Sequence, residues 1–540
     1  MRRQITAFAL GLAVMAGSFG SGMAGNEDIV KLVTGEERGG EIARIDDSRL
    51  FDPQAGRADY LRGVLKSESG SFDLNLVTKD GTHLRRIVEN ASGETDFHLV
   101  PTEDGALLKL TARTDDAHYR LSLNWQVKPD QQKRSDIEFL SPRMKALAGD
   151  IAAGISTDAF WATVRNEGTP LLERQADGSY IVTFLWRGAE KNVRLFGAPS
   201  GNHENLDRIG TSDVWYKSFT VPAQTRISYQ LAPDVPDVPG TARERRVAIL
   251  STAQEDPFNS KSWPSNGPDR YNRDSILELP DAPAEPYLAD HGDPKGSLQK
   301  FMLASQKLGN TREITIYRPA DLNVADRNVN LIFLFDAKQM LNEIPMPVIL
   351  DNMIASGAIG PTVAVFIANP GAAARASELP ANPKFADFMA SELLPRVLAE
   401  TGLKHDPKRT ALGGASYGGL ASTTVALRHP ELFGNVLSMS GSYWWSPQGT
   451  PPDRQEYVAG LVASKPVPDM RFFLSAGLFE ADASKGVGSI LDTNRHLRDV
   501  LLARNTHVFY REYAGGHDWL IWRSIIVDGL IALFGQPKGN

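Results

Sequence analysis

The chain has 540 residues, more than one hydrophobic core accommodates, which indicates about three domains. Its hydrophobic content of 42% and charged content of 23% are typical of a folded protein. Its net charge of −7 gives it no overall positive field of the kind that attracts nucleic acid. The chain contains no Cys, which excludes thiol nucleophiles, thiolate metal sites and disulfides, and its 10 His show no His-Glu-x-x-His spacing.

The N-terminus has the pattern of a secretory signal peptide, predicted to occupy residues 1–25. Arg2 and Arg3 precede a short apolar run, and small residues lead to a cleavage point after Ala24 or Gly25. The apolar run is too short for a comfortable membrane span, and no second run of about 20 apolar residues follows. We expect an exported protein, periplasmic or secreted, without a membrane span; the alternative is an N-terminal helix of the folded domain.

Residues 45–130 are predicted to form a small antiparallel β-sandwich. The stretches FDLNL, from Phe72, and YRLSLNW, from Tyr119, alternate apolar and polar residues with the period of a half-buried strand. Turn residues separate these stretches, as in small sandwiches. The segment contains no visible catalytic cluster, so we interpret it as a structural or docking module.

A second β-rich unit is predicted for residues 145–285, after a polar linker from Pro129 to Met144. Strand pairs are indicated by the stretches GSYIVTFLWRGAEKNVRLFG and SDVWYKSFTV. The segment from Asp256 to Asp290 is rich in Pro, Asn and Asp, a composition that predicts an extended surface linker.

Residues 296–540 alternate short apolar strands with helical segments. The stretch TVAVFIANP indicates a buried strand, and KFADFMASELLPRVLAETG has helical periodicity. Continuous apolar strands between helices are typical of a mostly parallel sheet that helices cover on both faces. The predicted fold class is therefore α/β for this domain, preceded by β-sandwich domains.

One serine of this α/β region, Ser416, lies between glycines in the stretch RTALGGASYGGLAS. An apolar strand precedes it and a helical stretch follows, which is the arrangement of the nucleophile elbow in α/β-hydrolases. Small neighbours allow the tight turn, and the N-terminus of the following helix supplies N–H groups for an oxyanion. We predict that Ser416 is a nucleophile; the alternative is a tight packing turn.

A serine nucleophile needs a general base, and in this fold the order along the chain is Ser, acid, His. Of the His residues after Ser416, His517 is predicted to be the base, because it lies in a Gly-containing loop after the last strand. The acid should follow the strand RFFLSAG, where Glu480 and Asp482 both occur. Glu480 is preferred because it is nearer the strand end, and either carboxylate could instead be a solvated loop residue.

The oxyanion donors are predicted to be backbone N–H groups. One belongs to Tyr417, directly after the nucleophile, and the other lies near Ala337, in the loop after the strand LIFLF. Backbone donors leave little trace in side-chain identity, so both assignments rest on position alone.

The stretch RTALGGASYGGLASTTVALRHPELFGNVLSMSGSYWW resembles the esterase domain of enterochelin esterases, the hydrolases of catecholate siderophores. The stretches ASELPANPKFADFMASELLP, GLFE and AGGHDW fit the same family, and GTSDVW, EDPFNSKSW and LELPDAPAEP resemble its N-terminal β domain and linker. The resemblance covers roughly residues 155–540. It implies a serine esterase in which Ser416, Glu480 and His517 form the catalytic triad.

The resemblance also implies substrate-binding residues. Arg375 matches an arginine that faces the siderophore in such enzymes, and a guanidinium can pair with the oxygen-rich anion of a tris-catecholate iron complex. Trp444 and Trp445 are expected either to wall the cleft and stack on catechol rings or to pack in the core. The segment FDAKQ lacks the Gly that often follows this Asp in the family, which leaves the second oxyanion contact open.

The expected activity is hydrolysis of the ester bonds of an enterobactin-like trilactone, iron-loaded or iron-free, through an acyl-enzyme. The extra N-terminal β-sandwich and the signal peptide depart from the usual cytoplasmic enzyme and indicate an exported version. No cofactor and no nucleic-acid partner are expected; the partner is the small-molecule siderophore, and the oligomeric state is not predicted. The alternatives are an exported carboxylesterase with another acyl substrate and a non-catalytic siderophore-binding protein.

Overall fold

The computed structural model of the chain describes residues 29–129, 131–132, 139–201, 203–465, 468–482 and 488–535. The predicted signal peptide lies outside these residues. The chain divides into two compact units, residues 1–138 and 139–540. Among the helices of the described residues, none combines the length and apolar character that a membrane span requires.

The first unit is a sandwich of two β-sheets. Its strands are β1 (Val30–Lys31), β2 (Glu37–Ile42), β3 (Ser48–Asp52), β4 (Tyr60–Ser69), β5 (Phe72–Val77), β6 (His83–Ala91), β7 (Glu94–Leu99), β8 (Leu107–Ala112) and β9 (Ala117–Val127). One sheet has the order β1-β3-β8-β5-β6 and the other β2-β9-β4-β7. The pairs are antiparallel except β1 with β3.

Alternation along the strands builds the core of this sandwich. In β4 the side chains of Leu61 and Leu65 are buried, whereas Arg62 and Lys66 on the other face are exposed. The strands begin before residue 45, where the sequence pattern placed the start. Strand β2 reads ERGGEI and is mostly exposed, so it carries no apolar alternation that a sequence pattern detects.

The second unit begins with two helices and two four-stranded sheets. The elements are α1 (Pro142–Ala152), α2 (Asp158–Glu167), β10 (Leu171–Arg174), β11 (Tyr180–Arg187), β12 (Val193–Gly197), β13 (Asp207–Arg208), β14 (Val214–Val221), β15 (Arg226–Pro233), α3 (Ala242–Leu250), β16 (Ser262–Trp263) and β17 (Asp274–Glu278). The antiparallel sheets have the orders β10-β11-β14-β13 and β12-β15-β17-β16. We call this segment, residues 139–285, the β-rich segment.

The stretch predicted as a surface linker, residues 256–290, contains part of this fold, so that prediction was wrong as far as Glu278. Strands β16 and β17 lie within it, and β17 pairs with β15 in the sheet. Asp256 is buried and accepts a hydrogen bond from the hydroxyl of Tyr229 at 2.9 Å. The strands are only two and five residues long, and the Pro and Asn between them hide the period. Helix α1 likewise begins at Pro142, inside the predicted first linker.

The remainder of the second unit is an α/β domain. Its elements are β18 (Ser297–Ser305), β19 (Asn310–Arg318), β20 (Asn330–Phe335), α4 (Ala337–Asn342), α5 (Met346–Ala355), β21 (Thr362–Ile367), α6 (Ala372–Glu378), α7 (Pro383–Phe388), α8 (Leu394–Thr401), β22 (Thr410–Ala415), α9 (Tyr417–Arg428), β23 (Asn435–Met439), α10 (Tyr457–Ser464), β24 (Arg471–Gly477), α11 (Ile490–Ala503), β25 (His507–Tyr513) and α12 (Trp519–Phe534). Short 3-10 turns occur at Arg270–Asn272, Pro407–Arg409 and Pro452–Arg454, and one π turn at Met389–Leu393.

Eight strands form the sheet of this domain in the order β18-β19-β21-β20-β22-β23-β24-β25. The six strands from β21 to β25 in this order run parallel, and β18 and β19 are antiparallel additions at one edge. Both faces of the sheet are covered: Phe333 and Phe335 of β20 pack in one core, and Ile332 and Leu334 in the other. The predicted α/β class with a mostly parallel sheet is confirmed.

Parallel strands bring their carboxyl ends to one edge of the sheet. The segments that follow β20, β22, β24 and β25 therefore start from the same edge, which is where open α/β sheets bind ligands. Asp336, Ser416, Leu478 and Ala514 are the first residues after these four strands.

Candidate active site

Ser416 lies on a sharp turn between strand β22 and helix α9. Its φ of 58° is positive, a strained conformation for a residue other than glycine, and its N–H donates to the carbonyl of Met439 at 3.0 Å. A Cβ on Gly414 would lie 2.8 Å from the carbonyl carbon of Gly418, so the turn leaves no room for a side chain there. The Ser416 Oγ lies 3.3 Å from the Oγ of Ser442.

His517 and Glu480 form a close polar pair at this edge of the sheet. The Nδ1 of His517 lies 2.5 Å from Oε1 of Glu480. Glu480 is buried, and its Oε2 also accepts from the N–H of Gly477 at 2.6 Å and from the hydroxyl of Ser440 at 2.8 Å. A carboxylate only accepts, so Nδ1 of His517 is the donor and Nε2 is the basic nitrogen.

A further hydrogen bond holds this arrangement from behind. The indole Nε1 of Trp522 donates to the hydroxyl of Ser440 at 3.0 Å, and the ring of Trp522 meets that of His517 edge to face, with centroids 4.8 Å apart. Trp522 and Ser440 are both buried. The imidazole is therefore oriented by a carboxylate that is itself fixed by a serine and a tryptophan.

Ser416, Glu480 and His517 line one cavity of about 980 Å³. The volume is at the upper end of the range of about 300–1,000 Å³ for small-molecule pockets. The same cavity is lined by side chains of the β-rich segment, among them Phe196, His203, Arg246 and Trp263. A ligand in this cavity would contact both parts of the second unit.

Two family models match the second unit. The model named Esterase matches residues 305–533, and the model described as Enterochelin esterase, N-terminal, matches residues 181–288. The iron(III) enterobactin esterase of Escherichia coli O6:H1 is 30% identical over 411 residues, which are 72% of this chain and 98% of that protein. The chain belongs to the iron(III) enterobactin esterase family.

Solved structures of this family have the same fold. The ferric enterobactin esterase of Salmonella typhimurium is 30% identical, with a TM-score of 0.57 over 70% of this chain and 98% of that one. The enterobactin esterase of Shigella flexneri, crystallised in the presence of enterobactin, is 28% identical with a TM-score of 0.55 over the same shares. The chain is thus an ester hydrolase of this family, as its sequence predicted, and neither family model reaches the first unit.

The structure separates the two acids that the sequence left open. Glu480 contacts the imidazole of His517, whereas Asp482 is exposed two residues further along the cavity wall. A Cβ on Gly201 of the β-rich segment would lie 3.2 Å from the Cβ of Asp482, so this side chain is directed to that segment. The geometry favours Glu480 as the partner of the base.

The backbone positions of the predicted oxyanion donors lie where two helices begin. Tyr417 opens α9, and Ala337 opens α4 directly after Asp336, whose φ is 60°. The strands that precede these helices, β20 and β22, are paired neighbours. The first N–H groups of both helices therefore start from adjacent strand ends, and the assignment of these N–H groups to an oxyanion stays a prediction.

Arg375 forms a two-pronged ion pair with Asp336. Its Nε and Nη2 donate to Oδ1 and Oδ2 of Asp336 at 2.7 and 2.8 Å, and its guanidinium carbon lies 5.9 Å from the ring centroid of Tyr417. Arg375 is not among the described residues that line the cavity. Because Asp336 is buried and precedes α4, this fork fixes the turn that carries Ala337. Contact between Arg375 and the substrate stays a prediction.

The two tryptophans have different environments. Trp444 lines the cavity and lies 6.2 Å, between ring centroids, from Tyr417. Trp445 packs on the hydrophobic core and meets Tyr457 edge to face at 6.0 Å. The sequence left two alternatives open for these residues. Trp444 lies in the cavity wall, and Trp445 packs on the core.

The sequence gave no indication of the half-buried acids in this cavity. Burial raises the pKa of Asp274 to about 7, with a contribution from Asp518 and a smaller one from Glu343. Burial also raises the pKa of Asp518 to about 6, and it raises that of Glu343. Asp518 follows His517 and accepts from the N–H of Ile521 as the N-cap of α12, which is the one signal that could have marked it.

Proposed function

We propose that the chain hydrolyses the ester bonds of a catecholate trilactone siderophore of the enterobactin type. The observation that carries the proposal is that Ser416, His517 and Glu480 line one large cavity shared with the β-rich segment. Family membership supports the substrate class, because the relatives are named for iron(III) enterobactin and one was crystallised in the presence of enterobactin.

The first half of the reaction acylates Ser416. Nε2 of His517 takes the proton of the Ser416 hydroxyl while Oγ attacks an ester carbonyl carbon of the trilactone ring. Glu480 holds the ring tautomer and stabilises the imidazolium that forms. The N–H groups of Tyr417 and Ala337 donate to the oxyanion, and the ester bond breaks as His517 returns the proton to the leaving hydroxyl oxygen.

The second half releases the acid. Water enters where the leaving hydroxyl was, Nε2 of His517 takes its proton, and the hydroxide oxygen bonds to the acyl carbon. Collapse of this intermediate breaks the bond to Ser416 Oγ, which regains the proton from His517. The products are a linear ligand with a free carboxylate and a free hydroxyl. No step uses a cofactor.

The cavity wall suits an aromatic ligand. Trp263, Trp444 and Trp519 all line it, and tryptophan faces are favourable partners for catechol rings. Tris-catecholate ligands present several rings at once, which fits a wide cavity better than a narrow one.

We further propose that the protein acts outside the cytoplasm, in the periplasm or in secreted form. The proposal rests on the N-terminal Arg pair, apolar run and small residues, which lie outside the described residues. Fractionation of cells that express the full chain, with mass determination of the N-terminus, tests it. Recovery of uncleaved protein in the cytoplasm would contradict it.

The deciding experiment compares substrates. Purified protein and its Ser416→Ala variant are incubated with the ferric and the iron-free trilactone, and products are separated by chromatography. We expect linear products with the wild type and a rate at least about 10³-fold lower with the variant. Cleavage of simple acyl esters alone would favour another carboxylesterase; persistent hydrolysis by the variant would refute the nucleophile; binding without cleavage would make the protein a siderophore binder.

A further inference from the structure

Three side chains of the β-rich segment form a cluster on the cavity wall. Phe196 is the penultimate residue of β12, His203 lies in the loop that follows, and Arg246 projects from α3. The rings of Phe196 and His203 are stacked, with centroids 4.5 Å apart and planes 16° apart. The guanidinium carbon of Arg246 lies 5.6 Å from the Phe196 ring centroid. We call these three residues the Arg246 cluster.

Arg246 brings a positive charge to this wall that no described residue neutralises by an ion pair. Its Nε donates to Nε2 of His203 at 3.1 Å. Within the described part of the chain, its terminal nitrogens have no hydrogen-bond acceptor and the side chain has no carboxylate within ion-pair distance. Arg375, by contrast, donates hydrogen bonds to both carboxylate oxygens of Asp336. Arg246 is therefore the arginine of this cavity wall that is available to an anion.

His203 holds this arginine as a neutral ring. Burial, followed by the charges of Arg246 and Arg194, lowers the pKa of His203 to about 4. Since Nε2 accepts from Arg246, Nδ1 carries the proton. That Nδ1 atom is buried, and none of the described residues accepts from it. The ring thus fixes the guanidinium and keeps one unused donor of its own.

Among the described residues, none of the carboxyl groups that line the cavity forms an ion pair or a hydrogen bond with Arg246. Asp274, Asp518 and Glu343 all have raised pKa values, chiefly because burial disfavours their ionised forms. Asp482 is the acidic side chain that acts on His203. An anionic ligand near the Arg246 cluster therefore meets one guanidinium without a partner carboxylate in contact with it.

We propose that Arg246 is a specificity-determining residue that selects the anionic, iron-loaded form of the substrate, with His203 positioning its guanidinium. The substrate class rests on the proposed function. In the iron-free trilactone the catechol hydroxyls keep their protons, so the ligand is neutral near pH 7. Iron(III) displaces six protons and leaves a trianion whose catecholate oxygens accept hydrogen bonds. The guanidinium of Arg246, held beside the Phe196–His203 stack, suits the catecholate oxygens of one ring of that complex.

The test measures binding, so that it does not depend on cleavage. In the Ser416→Ala background, Arg246→Met is compared with Arg245→Met by titration calorimetry against the ferric trilactone, its gallium(III) analogue and the iron-free ligand. Arg245 is the matched control because it lies on the same exposed helix and donates to the carbonyl of Gly240, yet it is not among the described residues that line the cavity. Both variants remove one positive charge.

We expect Arg246→Met to weaken binding of the ferric and gallium complexes about 10-fold or more and to leave the iron-free ligand unchanged. Arg245→Met should change none of the three, and Arg246→Lys should recover part of the loss. Added salt should weaken binding of the charged complexes only where Arg246 is present. Equal effects of the two methionine variants, an equal loss for charged and neutral ligands, or no binding of any of the three would overturn the proposal.

Hydrolysis assays of the protein with Ser416 intact separate this inference from the proposed function. Cleavage of the trilactones without any charge preference at Arg246 would refute the inference alone. Charge-selective binding without cleavage would refute the proposed function alone.

Discussion

The imidazole of His517 donates from Nδ1 to Oε1 of Glu480 across 2.5 Å, from the loop that follows β25 to the loop that follows β24. The two strands are paired along their whole length, which places both loops at one edge of the sheet. The second carboxylate oxygen is held by Gly477 and Ser440, so the acceptor cannot rotate away from the ring. The pair is therefore held in one geometry by contacts on both carboxylate oxygens.

Replacement of Glu480 should therefore cost far more than replacement of Asp482. We expect Glu480→Gln to lower kcat by about 10²–10⁴-fold, because an amide at this position no longer enforces the tautomer in which Nε2 is basic. Asp482→Asn, the matched control on the same loop, should retain kcat within about threefold. Steady-state kinetics with a chromogenic ester measures both. A larger loss for Asp482→Asn would transfer the role of the acid to that residue.

Ser440 should act as a positioning residue for Glu480. Ser440→Ala removes the donor to Oε2 and leaves the buried indole N–H of Trp522 without its acceptor. We expect kcat to fall about tenfold with KM unchanged, since the loss affects the base rather than ligand binding. Ser464→Ala, on the surface of α10, is the control and should have no effect. An increase in KM at constant kcat would place Ser440 in substrate binding instead.

Arg375 offers a test between two roles. The guanidinium of Arg375 donates to both carboxylate oxygens of the buried Asp336. Arg375→Met should leave that carboxylate with Asn369 as its remaining side-chain donor. We therefore expect the variant to be less stable by about 2–4 kcal/mol. The double variant with Asp336→Asn should be less destabilised than additivity predicts. Arg396→Met, which breaks an exposed i,i+4 pair with Glu400, should cost under about 1 kcal/mol.

Urea unfolding measures these variants together with the Asp336→Asn single variant that the additivity test requires. If Arg375→Met leaves the unfolding free energy unchanged and raises KM for the ferric substrate, the residue contacts substrate, as the sequence resemblance implies. Loss of stability with unchanged KM would confirm the role that the geometry indicates.

The sequence predicted the α/β fold with its mostly parallel sheet, because the central strands are continuous apolar runs. It also placed Ser416, Glu480 and His517 in segments that follow strands, and the structure has them there because each of those strands has a pattern that the sequence reveals. It did not predict β18, a nine-residue strand at the sheet edge in which exposed and half-buried residues alternate. A half-exposed edge strand has a weaker pattern than a buried one, and only pairing with β19 defines it.

The Arg246 cluster and the half-buried acids of the cavity could not be predicted for a different reason. Phe196, His203 and Arg246 are brought together by a loop and a helix, and no local motif records such contacts. Asp274 lies in a five-residue strand inside a Pro- and Asn-rich stretch, where a surface position was the natural interpretation. The burial that raises its pKa arises from tertiary contacts alone.

Asp274 makes stability depend on pH in a direction that can be tested. Its pKa is raised from 3.8 to about 7 in the folded protein, chiefly by burial. Between these values the folded state holds a proton that the unfolded state has lost, so stability falls as the pH rises from 4 to 7 and stays low above it. Asp274→Asn is neutral at every pH and keeps a side chain that can contact Ser228.

We therefore expect Asp274→Asn to be more stable than the wild type at pH 8, by on the order of 1–2 kcal/mol after allowance for partial solvent contact, and little different near pH 4.5. Urea unfolding at both pH values measures this difference, with Asp237→Asn, an exposed carboxylate of the same segment, as the control. If the advantage of Asp274→Asn is the same at both pH values, the Asp274 carboxyl does not titrate near neutrality. In that case its ionised form must be stabilised by a partner such as the hydroxyl of Ser228, which donates to this side chain.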